Sequence, residues 1–114
     1  MQLSDHFTLE ELVRSDTAVR LDINNTPDEN VIENLKVLAN GLEEVRSELN
    51  NKPIHITSGY RSLSLNRALK SKDSSWHVLG LAADFHCSSY GDIQVVMKKI
   101  VDSASNKGSL SSQK

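Results

Sequence analysis

Apolar residues recur along this chain at two different periods, and the change of period separates helical from extended stretches. Phe7-Thr8-Leu9-Glu10-Glu11-Leu12 predicts a short helix. Thr8 can accept from the Glu11 N–H while the Glu11 carboxylate reaches back, and Phe7 and Leu12 form the flanking hydrophobic staple. Thr26-Pro27-Asp28-Glu29 repeats the start signal, with Thr as N-cap, Pro at the first helical position and Glu at the third. Behind it Val31, Leu35, Leu38, Leu42, Val45 and Leu49 follow at spacings of four and three. That is one stripe along a helix of about six turns. Gly41 inside it costs about 1 kcal/mol relative to Ala and suggests a close approach to another backbone. Asn50-Asn51-Lys52-Pro53 ends the helix, and Ser15 to Asn25 reads as a loop with Val19, Leu21 and Ile23 as an extended or anchoring piece.

The period then falls to two. Ile54-His55-Ile56-Thr57 predicts a strand with Ile54 and Ile56 toward the core and His55 and Thr57 facing the other way. Ser58 to Ser62 is a turn, Leu63 to Leu69 a short helix, and Lys70 to Ser75 a polar loop. Leu81 to His86 is a second strand, with Ala82, Asp84 and His86 on one face and Ala83, Phe85 and Cys87 on the other. Asp92 caps a closing helix in which Ile93, Val96, Met97, Ile100 and Val101 make one stripe. The serine-rich segment 103–114 has no core face and is expected to be a disordered tail to a domain spanning 1–102.

At 114 residues one domain is expected, large enough to bury roughly two-thirds of the unfolded chain's surface. Thirteen Lys and Arg against fifteen Asp and Glu give a net charge of −2 with no block of five or six charges of one sign, which argues against nucleic acid or an anionic membrane as the main partner. No apolar run reaches the roughly 18 residues of a membrane span, and the first residues lack the basic and apolar regions of a secretory signal. The expectation is therefore a chain that is cytoplasmic as synthesised, with no membrane insertion, reaching any outside target by a separate route. A single cysteine, Cys87, rules out an internal disulfide.

The chemistry concentrates in Ser74 to Cys87, where two imidazoles, a carboxylate and a thiol lie close in sequence. Zinc accepts all of these ligand types, and a catalytic zinc takes three protein side chains plus a water whose pKa it lowers to about 7. Asp84 and His86 share a strand face, and His77 can return over them through a turn at Gly80. The same residues also suit a solvated histidine and a strand-end aspartate that caps nearby backbone. Arg61 taken alone suits a surface salt bridge, and Trp76 a core or rim aromatic.

Ser75-x-His77-x-x-Gly80-x-Ala82-x-Asp84 resembles the zinc-binding signature of the peptidase M15 family, which holds the zinc D-Ala-D-Ala carboxypeptidases and the phage L-alanyl-D-glutamate endopeptidases. Ile56-Thr57-Ser58-Gly59-Tyr60-Arg61-Ser62, followed by Asn66, is similar to the same family's substrate-side motif, at the spacing the family uses. The resemblance covers residues 6 to about 100 and extends to the compact subgroup seen in phages and prophages. It implies an α+β fold, N-terminal helices packed on a small, mainly antiparallel sheet, as in the D-Ala-D-Ala peptidases and the hedgehog signalling domain. It further implies one zinc ion with His77 and Asp84 as ligands, and Arg61 paired with a substrate carboxylate. Ser75 would support the zinc-bound water or substrate carbonyl, and Tyr60 and Trp76 would line the cleft. Arg suits its role because its planar fork donates two parallel hydrogen bonds to a carboxylate. The implied substrate is the D-amino-acid-containing stem peptide of peptidoglycan.

The chain departs from the family at its end. The family's third zinc ligand is a histidine in a late Trp-x-His context, with a glutamate general base shortly before it. Here no His follows His86 and no Glu follows Glu48. Three readings follow. The chain is a truncated prophage remnant with weak or no activity, which the abrupt low-complexity ending supports best; or it is a non-catalytic module that binds peptidoglycan peptides through Arg61. In the third, His86, His55 or Cys87 replaces the ligand and Asp92 or Asp73 the base. His86 is the best placed of these, although residues two apart on a strand sit about 6 to 7 Å apart at the backbone. A missing last strand leaves a sheet edge open, so the expected monomer has a route to self-association.

Overall fold

The computed structural model describes residues 1–89. The expected closing helix, Asp92 as cap or base, and the tail 103–114 lie outside the described residues. The first helix, α1 (Leu9–Val13), starts on the expected capping box: the Glu11 N–H donates to Thr8 Oγ1 at 3.2 Å and the Thr8 N–H donates to Glu11 Oε1 at 3.3 Å. Phe7 and Leu12 are both buried.

The next segment corrects the sequence expectation. Asp16–Arg20 is a helix, α2, not a loop. Ser15 is its N-cap, accepting from the Ala18 N–H at 3.1 Å, and Asp16 sits in the first turn, where a negative charge is favoured. Only Ala18 is buried in it, so no apolar stripe announced it; Val19, expected to anchor, is 81% exposed.

The long helix, α3 (Glu29–Glu48), begins two residues later than the Thr-Pro signal suggests. Asp28 is the N-cap, its Oδ1 accepting from the Val31 N–H at 2.8 Å, while the Thr26 N–H turns back to Asn24 Oδ1. Leu35, Ala39 and Leu42, with Leu49 at the C-cap, are buried, and Val31, Leu38 and Val45 pack along the edge of the same stripe. Gly41 is exposed and a Cβ there would meet nothing within 4 Å, so it marks no close approach. Asn50 and Asn51, both at φ near 60°, reverse the chain after the helix.

Strands β1 (His55–Ser58) and β2 (Asp84–His86) pair antiparallel, with His55 opposite His86, Ile56 opposite Phe85 and Ser58 opposite Asp84. Ile54 and Ile56 are buried and His55 and Thr57 exposed, as the alternation requires. Thr57 is the extra residue of a bulge, and its hydroxyl donates to the Asp84 carbonyl at 3.1 Å. β2 is shorter than expected because Leu81 is still tied to the preceding turn through the Trp76 carbonyl. Between the strands lie α4 (Leu63–Ala68), capped by Ser62, and a 3₁₀ turn over Trp76–Leu79.

The architecture is thus α+β, with N-terminal helices against a small antiparallel sheet. Its core joins Phe7 and Leu12, Leu35 to Leu49 of the long helix, Ile54, Ile56, Tyr60 and Cys87. Glu43 on α3 ties down the N-terminus by accepting from Ser4 Oγ and the His6 N–H, each at 2.6 Å, and it meets His6 Nδ1 at the same distance.

Candidate functional site

Two loops and one strand end carry the site, and backbone hydrogen bonds hold them together. Gly59 and Tyr60 leave β1 against α1: the Tyr60 N–H donates to the Leu12 carbonyl at 2.8 Å, and a Cβ on Gly59 would overlap that same carbonyl. The Arg61 N–H donates to the His77 carbonyl at 3.0 Å, joining the substrate-side loop to the 3₁₀ turn. That turn is capped by Ser75, whose Oγ accepts from the His77 N–H at 3.2 Å, and closed by Gly80. Gly80 has φ 75°, and a side chain there would press within 2.9 Å of Val31 Cγ1 on α3, so both conformation and space require glycine.

His77 is oriented through its ring. Nδ1 lies 2.7 Å from the Gly59 carbonyl oxygen. A carbonyl only accepts, so Nδ1 carries the proton and donates; this is how metal-binding histidines are commonly fixed. Nε2 is then 3.6 Å from Asp84 Oδ2, and Arg61 Nη2 is 3.8 Å from the same oxygen. The bulge at Thr57 sets Asp84 opposite Ser58, next to the Gly59 carbonyl that holds His77. His77 and Arg61 have side chains 13% and 15% exposed, whereas Asp84 is 62% exposed: two held groups face one accessible carboxylate.

Arg61 is held from behind. Its Nε donates to Ser58 Oγ at 3.3 Å and its Nη1 to Asn66 Oδ1 at 3.2 Å. Asn66 is fully buried and donates in turn to the Lys72 carbonyl at 2.7 Å. The loop itself is clamped by Asn25, which donates to the Val13 and Tyr60 carbonyls at 2.8 and 3.1 Å and accepts from the Ser62 N–H at 2.6 Å. Asn25 and the Gly59 carbonyl are site components that the sequence alone did not single out. The Ser58-Gly59-Tyr60-Arg61 run pointed to the loop, but no local signal pointed to Asn25, which acts across 35 positions.

The expected site residues therefore divide. Arg61, His77 and Asp84 come together. Ser75 stands behind them as the cap of the turn. Tyr60 belongs mainly to the core and touches an open cleft of about 340 Å³, bordered also by Arg14, Asp16, Thr57 and Arg61. Burial, aided by the negative charge of Asp28, pushes the Tyr60 phenol up, so it is neutral at physiological pH. Trp76 is 63% exposed on the turn that carries His77.

His86 has its ring against His55, with centroids 4.8 Å apart. Cys87 is buried in the core. Asp73 accepts two hydrogen bonds from Arg67, at 3.1 and 2.8 Å, and these hold its carboxyl below the usual range, which weakens it as a base. Among the described residues no three His, Cys, Asp or Glu side chains gather as a metal site.

His77 and Asp84 fit two positions of a zinc site. Ligand atoms at about 2.0 to 2.1 Å from a tetrahedral zinc stand about 3.4 Å apart, and Nε2 and Oδ2 stand 3.6 Å apart. Both atoms are acceptors in the tautomer that the Gly59 bond imposes, so a cation between them is favourable. Searches of curated proteins and of solved structures return no match. A family model described as Peptidase M15 matches residues 5–112, a span that contains every residue of the Arg61, His77 and Asp84 cluster and both loops that build it. By its sequence across nearly its whole length, this chain belongs to the Peptidase M15 family of metallopeptidases.

Proposed function

We propose that this chain carries the metal- and substrate-binding half of a zinc peptidase site for D-amino-acid-containing peptidoglycan stem peptides, and that its 114 residues hydrolyse such peptides weakly or not at all. One observation supports this above the rest: His77 is fixed by Gly59 through Nδ1, which turns Nε2 to within 3.6 Å of Asp84, beside a half-buried guanidinium. In this reading His77 Nε2 and Asp84 Oδ2 hold the zinc, which when bound polarises a peptide carbonyl and activates water. Arg61 holds a substrate carboxylate with its outward N–H groups, while Ser58 and Asn66 fix its pitch. Ser75 keeps the His77 backbone in register. A general base contributes typically 10² to 10⁴ in rate, and residues 1–114 hold no His after His86 and no Glu after Glu48.

A second reading, a non-catalytic binder of carboxylate-ended peptides, is favoured by one feature: Arg61 is held by Ser58 and Asn66 without any need for metal. Native mass spectrometry of the zinc-reconstituted chain, together with cleavage of a D-Ala-D-Ala peptide, tests the first reading. The expected result is one zinc per chain, lost in Asp84→Ala, with slow or undetectable cleavage. Cleavage that persists in Asp84→Ala and in chelator would sink it. A chain that takes up no zinc yet binds the peptide, with affinity falling at least about tenfold in Arg61→Ala, would leave the second reading standing alone.

A further inference from the structure

We propose that His55 and His86 form a second metal site, separate from His77 and Asp84, that takes a divalent transition-metal ion such as nickel, copper or zinc. The two residues are register partners on adjacent antiparallel strands, so their side chains leave the sheet next to each other on one face. Both are exposed. Neither can slip away: Ile54 and Ile56 are 7% and 3% exposed, and a shift of one residue would bring them out of the core while burying His55. The imidazoles are therefore presented as a pair by the fold itself.

The spacing of the rings suits one shared ion. A nitrogen lies about 1.1 Å from the centre of its imidazole and about 2.0 to 2.1 Å from a bound zinc, which puts each ring centre about 3.2 Å from the metal. Two imidazoles at angles of about 90° to 109° then have centres about 4.5 to 5.2 Å apart. The observed separation is 4.8 Å, with the ring planes tilted by 38°. Neutral imidazole is a ligand for nickel, copper and zinc alike, so the class of ion follows from the donors. Among the described residues no third Asp, Glu, Cys or His joins the pair, so water completes the coordination and the site is open to solvent. The competing role for the pair is a plain cross-strand ring contact that steadies the sheet.

The experiment separates this site from the His77 and Asp84 pair by working in the full chain carrying His77→Ala. Calorimetric titration with nickel is expected to show one equivalent bound in His77→Ala and none in His77→Ala/His55→Phe, where a ring and its packing are kept and only the nitrogens are lost. Circular dichroism checks that the double variant keeps its fold. Nickel binding that survives His55→Phe unchanged overturns the proposal. With copper in the same His77→Ala chain, electron paramagnetic resonance is expected to show coupling to two imidazole nitrogens; coupling to one or none also overturns it. Loss of zinc from the His77 and Asp84 pair leaves both results unaffected, so failure of the peptidase reading and failure of this one are distinguishable.

Discussion

Gly59 shows how closely a single residue can couple fold and chemistry. Its carbonyl fixes the tautomer of His77, and its missing side chain lets the loop lie against the Leu12 carbonyl. Because that neighbour is backbone already bonded to the Tyr60 N–H, it cannot rotate aside. Gly59→Ala is expected to cost about 3 kcal/mol, the upper part of the range for forcing atoms into a packed interior. Urea denaturation measures it, and a loss below about 1 kcal/mol would show that the loop can move away. At this scale Arg61, His77 and Asp84 were legible because short, ordered motifs carry them. Asn25 was not, because its three backbone partners lie on Val13, Tyr60 and Ser62, and nothing near residue 25 in sequence records that closeness.

Among the elements, the long helix holds both the surest expectation and an instructive correction. Its apolar stripe was readable because burial follows the 3.6 period, yet Gly41 stands at an exposed position with open space where a Cβ would go. Gly41→Ala is therefore expected to stabilise the chain by about 0.5 to 1 kcal/mol, through helix propensity and a less flexible unfolded chain. Thermal unfolding at neutral pH gives the sign directly. α2 escaped notice because a helix of five residues with one buried alanine leaves no periodic trace, and only the Ser15 cap hinted at it. Glu43 was equally hidden: it looks like a solvent position on the helix, but it anchors Ser4 and His6. Burial works to raise its carboxyl, and the hydrogen bonds from Ser4 and His6 outweigh this and hold it below the usual range. A lowered folded value means that the contribution is fully present above the unfolded carboxylate pKa of about 4.3 and is lost as pH falls through the folded value. Glu43→Gln should cost about 2 kcal/mol at pH 7 and progressively less below about pH 4. A pH-independent difference between wild type and variant would refute the linkage.

For the molecule as a whole, the N-terminal helices and the site are joined by direct contacts. α1 contributes the Leu12 carbonyl that the site loop rests on, α3 contributes the wall against Gly80, and Asn34 on the same helix donates to the Leu79 carbonyl at the end of the His77 turn. A ligand bound between His77 and Asp84 must therefore stabilise contacts reaching back to the first dozen residues, not only the strand end. Binding to the folded state alone adds about 2.7 kcal/mol when free ligand is at a hundred times its dissociation constant. In a domain of this size each kcal/mol raises the midpoint by about 4 to 8 °C. Zinc at such an excess should raise the Tm of the chain carrying His55→Phe, which lacks the paired imidazoles, by about 10 to 20 °C. The same addition to His55→Phe/Asp84→Ala should leave the Tm unchanged. A shift of equal size in both chains would mean that the zinc sits elsewhere. A shift confined to loss of the sheet signal, with the helical signal melting as before, would mean that the site unfolds apart from the helices. Only a single concerted transition, moved by zinc and dependent on Asp84, agrees with a site whose loop rests on the Leu12 carbonyl of α1 and whose turn packs against α3.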